Sequence, residues 1–597
     1  MRQGSRERGR PSTRARRTEP ALPGATAPTL PGMAQSQGLY APKHPPKQQT
    51  RPIRRALWLL ALLGLCLEIL WIATYPLLAA ATPANDAAKK ALVDFVPDLL
   101  RLSWVSAWPW LVQWLARAPL FQIMATPARG GPAGGAGAAN LLLLLLSVSF
   151  VLALIAGRIG RTIMRERLTA SNIRSLLTII ILFTVFFGLT LLFIPGVMSQ
   201  DMFLYGLYGR LVTVYHVNPY TTALSLYPHD LLQQGLSSSI ANALPGPVWM
   251  DMCIVISLLS GTSVAHVIIG FRALGLVSHV ANALLIWLIL AKQKPEMRVS
   301  ATILYAWNPL VLLLAVSGMH LEIVLILFIL LAIFTFQRKS FTLGWVFLIM
   351  AALINLLALL LLPLFLRLLA KEAWSRRTGT RLLWWLGVIG VTALVAILAY
   401  LPYWQGWGIT GILANARQVF LQDNAVNSLD AALRGLPVHL PGALAWLAMP
   451  HHWALLAAIV IGCLLLLGVW LTDTIHLAIV FSGWIWLMLF VLLPTYWPWY
   501  ALLPLTLALC STSRRTLLLA LLLALGALLS LYALLWQPAW PGLALLSVGL
   551  PALIWGWTLF FTATWEMLHA ASEPEPSRAA NSRPARRGLS RPARGGR

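Results

Sequence analysis

Apolar runs long enough to cross a bilayer recur through most of the chain, beginning with residues 56–81, and they limit the fold more than any other feature. A helix rising about 1.5 Å per residue needs roughly 20 apolar residues to span the hydrocarbon core. The runs are too many and too rich in leucine to be cores of soluble domains. In the 597-residue chain 58% of residues are hydrophobic, 11% are charged, and the mean hydropathy is +0.74. No ten-residue alternation of the kind a membrane β-barrel needs is visible. The expected fold is therefore all-α, a polytopic membrane helical bundle.

The net charge of +26 would suggest nucleic acid on a soluble surface, but its distribution argues against that. Residues 1–55 carry twelve Lys/Arg against Glu7 and Glu19, and the stretch from Glu573 to Arg597 carries seven arginines. Both are rich in small or ring-constrained residues and too poor in apolar ones to offset chain entropy. Residues 1–55 and 571–597 are thus expected to be disordered basic cytoplasmic tails around a bundle at 56–570. The first apolar run is too long for a cleavable signal and is read as a first span. Cys66, Cys253, Cys463 and Cys510 sit in apolar surroundings without CxxC spacing, as small core residues do. No cofactor is indicated, and a divalent cation is left open.

The basic connections at Arg158–Arg167, Lys292–Arg298, Arg338–Lys339 and Lys371–Arg381 set a path with about fourteen membrane segments and both tails inside. The Trp-rich stretch before residue 139 is expected to lie in the interface. Residues 300–334 read as two passes hinged near Gly318, with Asn308-Pro309 a kink. Residues 342–370 read as two short helices turning near Asn355, tolerable if protein buries the turn.

On this path four polar clusters fall on the outer side. They are Asp201 with Arg210 and Asn218-Pro219-Tyr220; Asn308-Pro309 with His320 and Glu322; Arg417 through Asp423, Asn424, Asn427 and Asp430; and Pro494–Tyr500, which includes Trp499. A carboxylate at the mouth of a Trp-rich, partly dry cavity can accept the proton of an attacking sugar hydroxyl, worth about 10²–10⁴ in rate. The leaving group would then need help from Arg210, Arg417 or His320. Asp201 could equally be the N-cap of a helix starting at Met202, and the two duties can coexist. His320 and Glu322 would point apart on a helix, so joint metal ligation would need a nonhelical turn. The WPWY aromatics suit an interfacial belt as well as a sugar platform.

The segment SQDMFLYGLYGRLVTVYHVNPYT resembles the signature of GT-C polyprenyl-phosphate-mannose-dependent mannosyltransferases, of the family 87 or alpha-1,6-mannosyltransferase kind. The similarity extends to GPVW (Gly246–Trp249), AWNPLVLLLAVSGMHLEIVL and WPWYALLPL, and covers about residues 170–510. It implies a GT-C-like bundle with external interfacial helices: an inverting hexosyltransferase in the cell membrane, its site on the outer face. The implied partners are a polyprenyl-phosphate sugar donor, with mannose the expected sugar, a glycan or glycolipid acceptor and membrane lipid, without nucleic acid. On the family pattern Asp201 is catalytic. Arg210, Asn218, Tyr220, His320, Glu322, Arg417, Trp499 and Tyr500 are the accompanying candidates for substrate binding. The chain departs from the pattern at His320-Leu321-Glu322, where relatives carry an added amide, and at Asn355, where many carry Lys.

Two other functions fit a polytopic chain. A flippase for a lipid-linked sugar would share the polar residues, but no inverted repeat is evident and the charges lie at span ends. A scaffold with lipid-binding tails, or a divergent inactive member, would leave the ordered recurrence of Asp201, Asn218-Pro219-Tyr220 and Asn308-Pro309 without a role.

Overall fold

A computed structural model describes residues 50–81, 133–166, 168–194, 200–236, 245–420, 427–435, 449–511, 513–536 and 545–558, with Gly442 and Trp446. All regular elements among them are helical, and the one bridge of β type joins Asn427 to Thr495. Residues 1–49 and 571–597 of the expected tails, the Trp-rich segment before residue 133, Asp423 and Asn424 lie outside the described residues, whereas residues 50–55, expected in the disordered tail, are the helical start of the first span.

The bundle opens with α1 (Thr50–Ala81), α2 (Ala133–Ile163) and α3 (Ala170–Leu192). Thr169 starts α3 as its N-cap, its hydroxyl accepting the Asn172 N–H, and the branched and aromatic run behind it is too apolar to be covered by water. Then come α4 (Asp201–Thr213), α5 (Pro247–Ser260) and α6 (Val264–Gln293), the last capped by Ser263. Next are α7 (Arg298–Ala306) and α8 (Pro309–Leu312), which bend by 51° at Asn308-Pro309, where the Asn308 side chain accepts the Leu310 N–H. A π-helical turn, Leu313–Ser317, follows before α9 (Glu322–Gln337). The kink read at Asn308-Pro309 is therefore present. Proline lacks the N–H an unbroken helix would need, and Asn308 satisfies a donor the break frees.

The expected hairpin at Asn355 is formed by α10 (Phe341–Ile354) and α11 (Leu362–Trp374). The Asn355 side chain accepts the Leu357 N–H at 3.0 Å, and the Gly246 N–H donates to the Ile354 carbonyl at 2.9 Å, so the turn is satisfied by protein. A Cβ on Gly246 would meet the Leu353 carbonyl oxygen at 2.0 Å, which explains a glycine there. The sequence continues through α12 (Thr378–Tyr400), α13 (Gly408–Phe420), α14 (Leu429–Arg434), α15 (Pro450–Leu471), α16 (Ile475–Leu492), α17 (Leu502–Ser511) and α18 (Arg514–Trp536), and ends at 545–558.

Eight described helices are long and apolar enough to cross a membrane, or nine if the bent α7–α8 pair is one span. This falls below the expected fourteen segments because α5, α9, α10 and the Pro498–Ser511 stretch are apolar but only 10–17 residues long. The positions of the segments agree with the hydropathy reading, whereas their number as full spans does not follow from it. α6 is central, with 56% of its most apolar window buried, against 11% for the α12 span and 6% for α15. Lipid is as apolar as leucine, so the outer helices can present Leu466 and Trp470 outward at no cost.

The ends of separate helices meet in two groups. At one end Asp201 meets His320, His320 meets Trp499, and Asn218 meets Tyr403 and Gln405. At the other, Lys292 donates to the Gln337 carbonyl and Lys371 to the Asp473 carbonyl. Basic connections thus gather opposite Asp201, as the alternation of spans requires.

Candidate active site

Asp201 is the first residue of α4; the residue before it, Gln200, is the N-cap and makes no side-chain cap bond. Asp201 is accordingly not the cap of a helix starting at Met202. Its carboxylate sits in the first turn, where the free N–H groups and the helix dipole favour negative charge. Asp201 Oδ2 lies 3.0 Å from His320 Nδ1, with the aspartate side chain 22% exposed and the histidine 2%. One partner faces into protein, and the other remains accessible.

His320 reaches Asp201 because the chain before α9 is not helical. The π-turn widens the ladder, the Gly318 N–H donates to the Leu313 carbonyl, the His320 N–H donates to the Leu314 carbonyl, and Met319 takes φ of 40°. A non-glycine residue in the left-handed region is strained, and such strain persists only where surrounding packing fixes it. The packing is tight: a Cβ on Gly275 of α6 would lie 1.9 Å from the Ala315 carbonyl oxygen and 2.7 Å from Met319 Sδ. The nonhelical turn that joint action of His320 and Glu322 requires is thus present.

Glu322 starts α9 and is buried, and its Oε2 makes no hydrogen bond. His320 and Asp201 are among the groups whose charge its carboxylate feels. The His320 ring stacks on Trp499 at 4.0 Å and 16°, and Trp499 stacks on Trp497 at 5.0 Å and 4°. Tyr500 stands edge-on to Trp499 and lies within the electrostatic reach of Glu322 and Asp201. Four of the sequence candidates, His320, Glu322, Trp499 and Tyr500, therefore gather around Asp201. The bridge from Asn427 to Thr495 brings the later loop beside the same wall.

The other candidates are placed elsewhere. Arg210 lies nine residues along α4 from Asp201, about 13 Å by helical rise. It is buried, pairs with Asp230 at 2.9 Å and donates to the Thr262 carbonyl, while Asp230 also accepts the Tyr215 hydroxyl and the Leu232 N–H. Its charge is committed to holding the loop between α4 and α6. Asn218 donates to the Tyr403 and Gln405 carbonyls at 2.9 and 3.0 Å and accepts the Tyr220 N–H. Tyr220 donates to the Pro245 carbonyl and stacks on Trp407 at 4.1 Å. The Asn-Pro-Tyr element thus clamps one external segment to another, and Tyr403 extends the clamp to Asp251 at 2.7 Å. Arg417 is exposed on the last turn of α13. Asp430 is buried against Arg434; burial raises its carboxyl above the ordinary value, and the arginine pulls it back.

One residue escaped sequence reasoning. Arg272 is fully buried in α6 and donates to the carbonyls of Leu192 and Ile194, closing the end of α3 from which the chain proceeds to Asp201. A cation inside an apolar span was its visible signal. Trp497, the first of the WPWY aromatics, extends the aromatic wall beside Trp499. Among the described residues no group of three or more His, Cys, Asp or Glu side chains is placed to hold a metal ion.

Compared with known proteins, residues 99–371 match the family model described as alpha-(1->6)-mannopyranosyltransferase, N-terminal domain. No curated protein matches the chain.

Proposed function

We propose that the chain, whose residues 99–371 match a mannosyltransferase family model, transfers mannose from a polyprenyl-phosphate donor to a glycan or glycolipid acceptor at the membrane's outer face, with Asp201 as general base. The observation that carries this reading is the convergence of Asp201, His320 and Trp499 from α4, the turn before α9 and the segment before α17. These three meet at the end of the bundle opposite the basic connections. That end faces outward if Lys and Arg are retained in the cytoplasm.

In the proposed step the acceptor hydroxyl oxygen attacks the anomeric carbon as the bond from that carbon to the phosphate oxygen breaks. The leaving polyprenyl phosphate keeps the electron pair, and the hydroxyl proton passes to Asp201. Inversion to the alpha linkage named by the family implies a donor with the opposite anomeric configuration. His320 orients Asp201 from its buried side, leaving the exposed part of the carboxylate to meet the hydroxyl. Trp499 holds the imidazole plane by stacking, and the Trp497–Trp499 pair offers apolar faces to the sugar ring. With Arg210 bound to Asp230, His320 and Arg417 are the candidates left to donate to the leaving phosphate.

The test is incubation of the purified protein with polyprenyl-phosphate mannose and a panel of mannose-bearing acceptors, followed by product mass and linkage analysis. Formation of a new alpha-1,6 mannosidic bond that disappears in Asp201→Asn supports the proposal. Movement of the lipid-linked sugar across vesicles with no new bond would replace it with a flippase.

A further inference from the structure

At the end of the bundle opposite Asp201, α11 and α15 leave a groove of about 430 Å³ between them, lined by Pro363, Arg367, Leu465, Leu466, Val469 and Trp470. Its walls are almost wholly apolar, and its size falls in the ordinary range for sites of small ligands. Arg367 and Lys371, one turn apart on α11, both lie 3.6 Å from the single carboxylate of Asp473, which follows α15. These three side chains are about half exposed. Two cations on one anion leave an excess positive charge at the rim. Arg376, Arg377 and Arg381 add three more cations just beyond α11, against Glu372 alone. Trp374 and Trp470 are exposed at 70% and 74%, as aromatic side chains at a headgroup boundary are.

An apolar cleft on a lipid-facing helix, ending in uncompensated basic charge, has the form of a seat for one molecule that is apolar along its length and anionic at its head. We propose that this groove binds an anionic diacyl phospholipid, its acyl chain against Leu465, Leu466 and Val469 and its phosphate on Arg367 and Lys371. Basic pockets between membrane helices recognise anionic headgroups in this manner. The donor phosphate is a poor occupant on distance alone. α16 starts just after Asp473 and has 18 residues, so about 27 Å separates this rim from the segment carrying Trp497 and Trp499. The inference does not depend on the mannosyltransferase reading, because it uses none of the residues around Asp201.

The full-length protein, stripped of lipid in detergent, would be titrated with phosphatidylglycerol or phosphatidylcholine and the bound lipid counted by native mass spectrometry. Each cation at a lipid headgroup contributes about fivefold in affinity. With Asp473 offsetting one of the two cations, phosphatidylglycerol should be retained about fivefold better than phosphatidylcholine, and Arg367→Gln with Lys371→Gln should erase most of that preference. Asp473→Asn removes the offsetting charge, leaving Lys371 only its bond to the main-chain carbonyl, and should raise phosphatidylglycerol retention about fivefold further, a gain that a misfolded protein cannot imitate. Equal retention of the two lipids, an unchanged preference in the double variant, or displacement of phosphatidylglycerol by an equimolar polyprenyl monophosphate would overturn the proposal.

Discussion

The two ends of α4 carry opposite charges that are used in opposite ways. Arg210, near its C-terminus, is enclosed: its two Nη groups donate to Asp230 and the Thr262 carbonyl, and Asp230 also accepts the Tyr215 hydroxyl. Asp201, at the N-terminus, has a fixed partner on its buried side and remains 22% exposed on the other. A closed ion pair holds a loop, whereas the proposed general base keeps part of its side chain accessible. The same contrast separates Asn218, whose side-chain donors and acceptor all serve protein, from Trp499, which stacks on His320 and Trp497 and is only partly buried.

Four substitutions test this division. Asp201→Asn should lower mannosyl transfer about 10²–10⁴-fold, the usual worth of a general base, with the thermal midpoint in detergent little changed. Retained activity would remove the distinction between the two ends of the helix. Arg210→Ala should do the reverse in kind, because it strands the buried Asp230 and should cost about 3–5 kcal/mol of stability. Arg210→Met with Asp230→Leu should recover most of that loss, as read from unfolding midpoints, if the pair is structural. Asn218→Ala removes three hydrogen bonds and should cost about 1–3 kcal/mol. Its transfer rate per folded molecule should stay near that of the parent, and a large drop would show that the clamp also touches substrate. Trp499→Phe keeps a stacking face and should reduce transfer only about threefold to tenfold, the scale of one aromatic contact. A greater loss would move the tryptophan from support of His320 to contact with the sugar itself.

Hydropathy alone located the helices, since a run such as α16 or α6 has no stable place outside lipid or a packed interior. Local chemistry gave the kink at Asn308-Pro309 and the turn at Asn355, because both arise from one residue's backbone needs. The number of full crossings was not legible, since a 14-residue apolar helix and a spanning one look alike until their neighbours are known. Asp201 was legible as a helix-start carboxylate but was misplaced by one position, the usual uncertainty of an end that lacks a side-chain cap. Partnerships were hidden wherever they joined distant segments. Nothing local distinguishes Arg210, bound 20 residues away, from a free cation, or joins Asp201 to a histidine 119 positions later. Arg272 was overlooked because its duty, receiving two carbonyls at the end of α3, exists only after folding.

The widened turn at Leu313–Ser317 makes chain length there a variable of the proposed site. Taking out a single residue would let the backbone relax to ordinary pitch, and everything downstream would rotate by about 100°. The imidazole would then swing off its indole support while every apolar residue of α9 stayed within the membrane. Such a deletion would leave a well-inserted protein whose aspartate had lost its buried neighbour, so the spacing of that turn, and not its composition, keeps the site assembled.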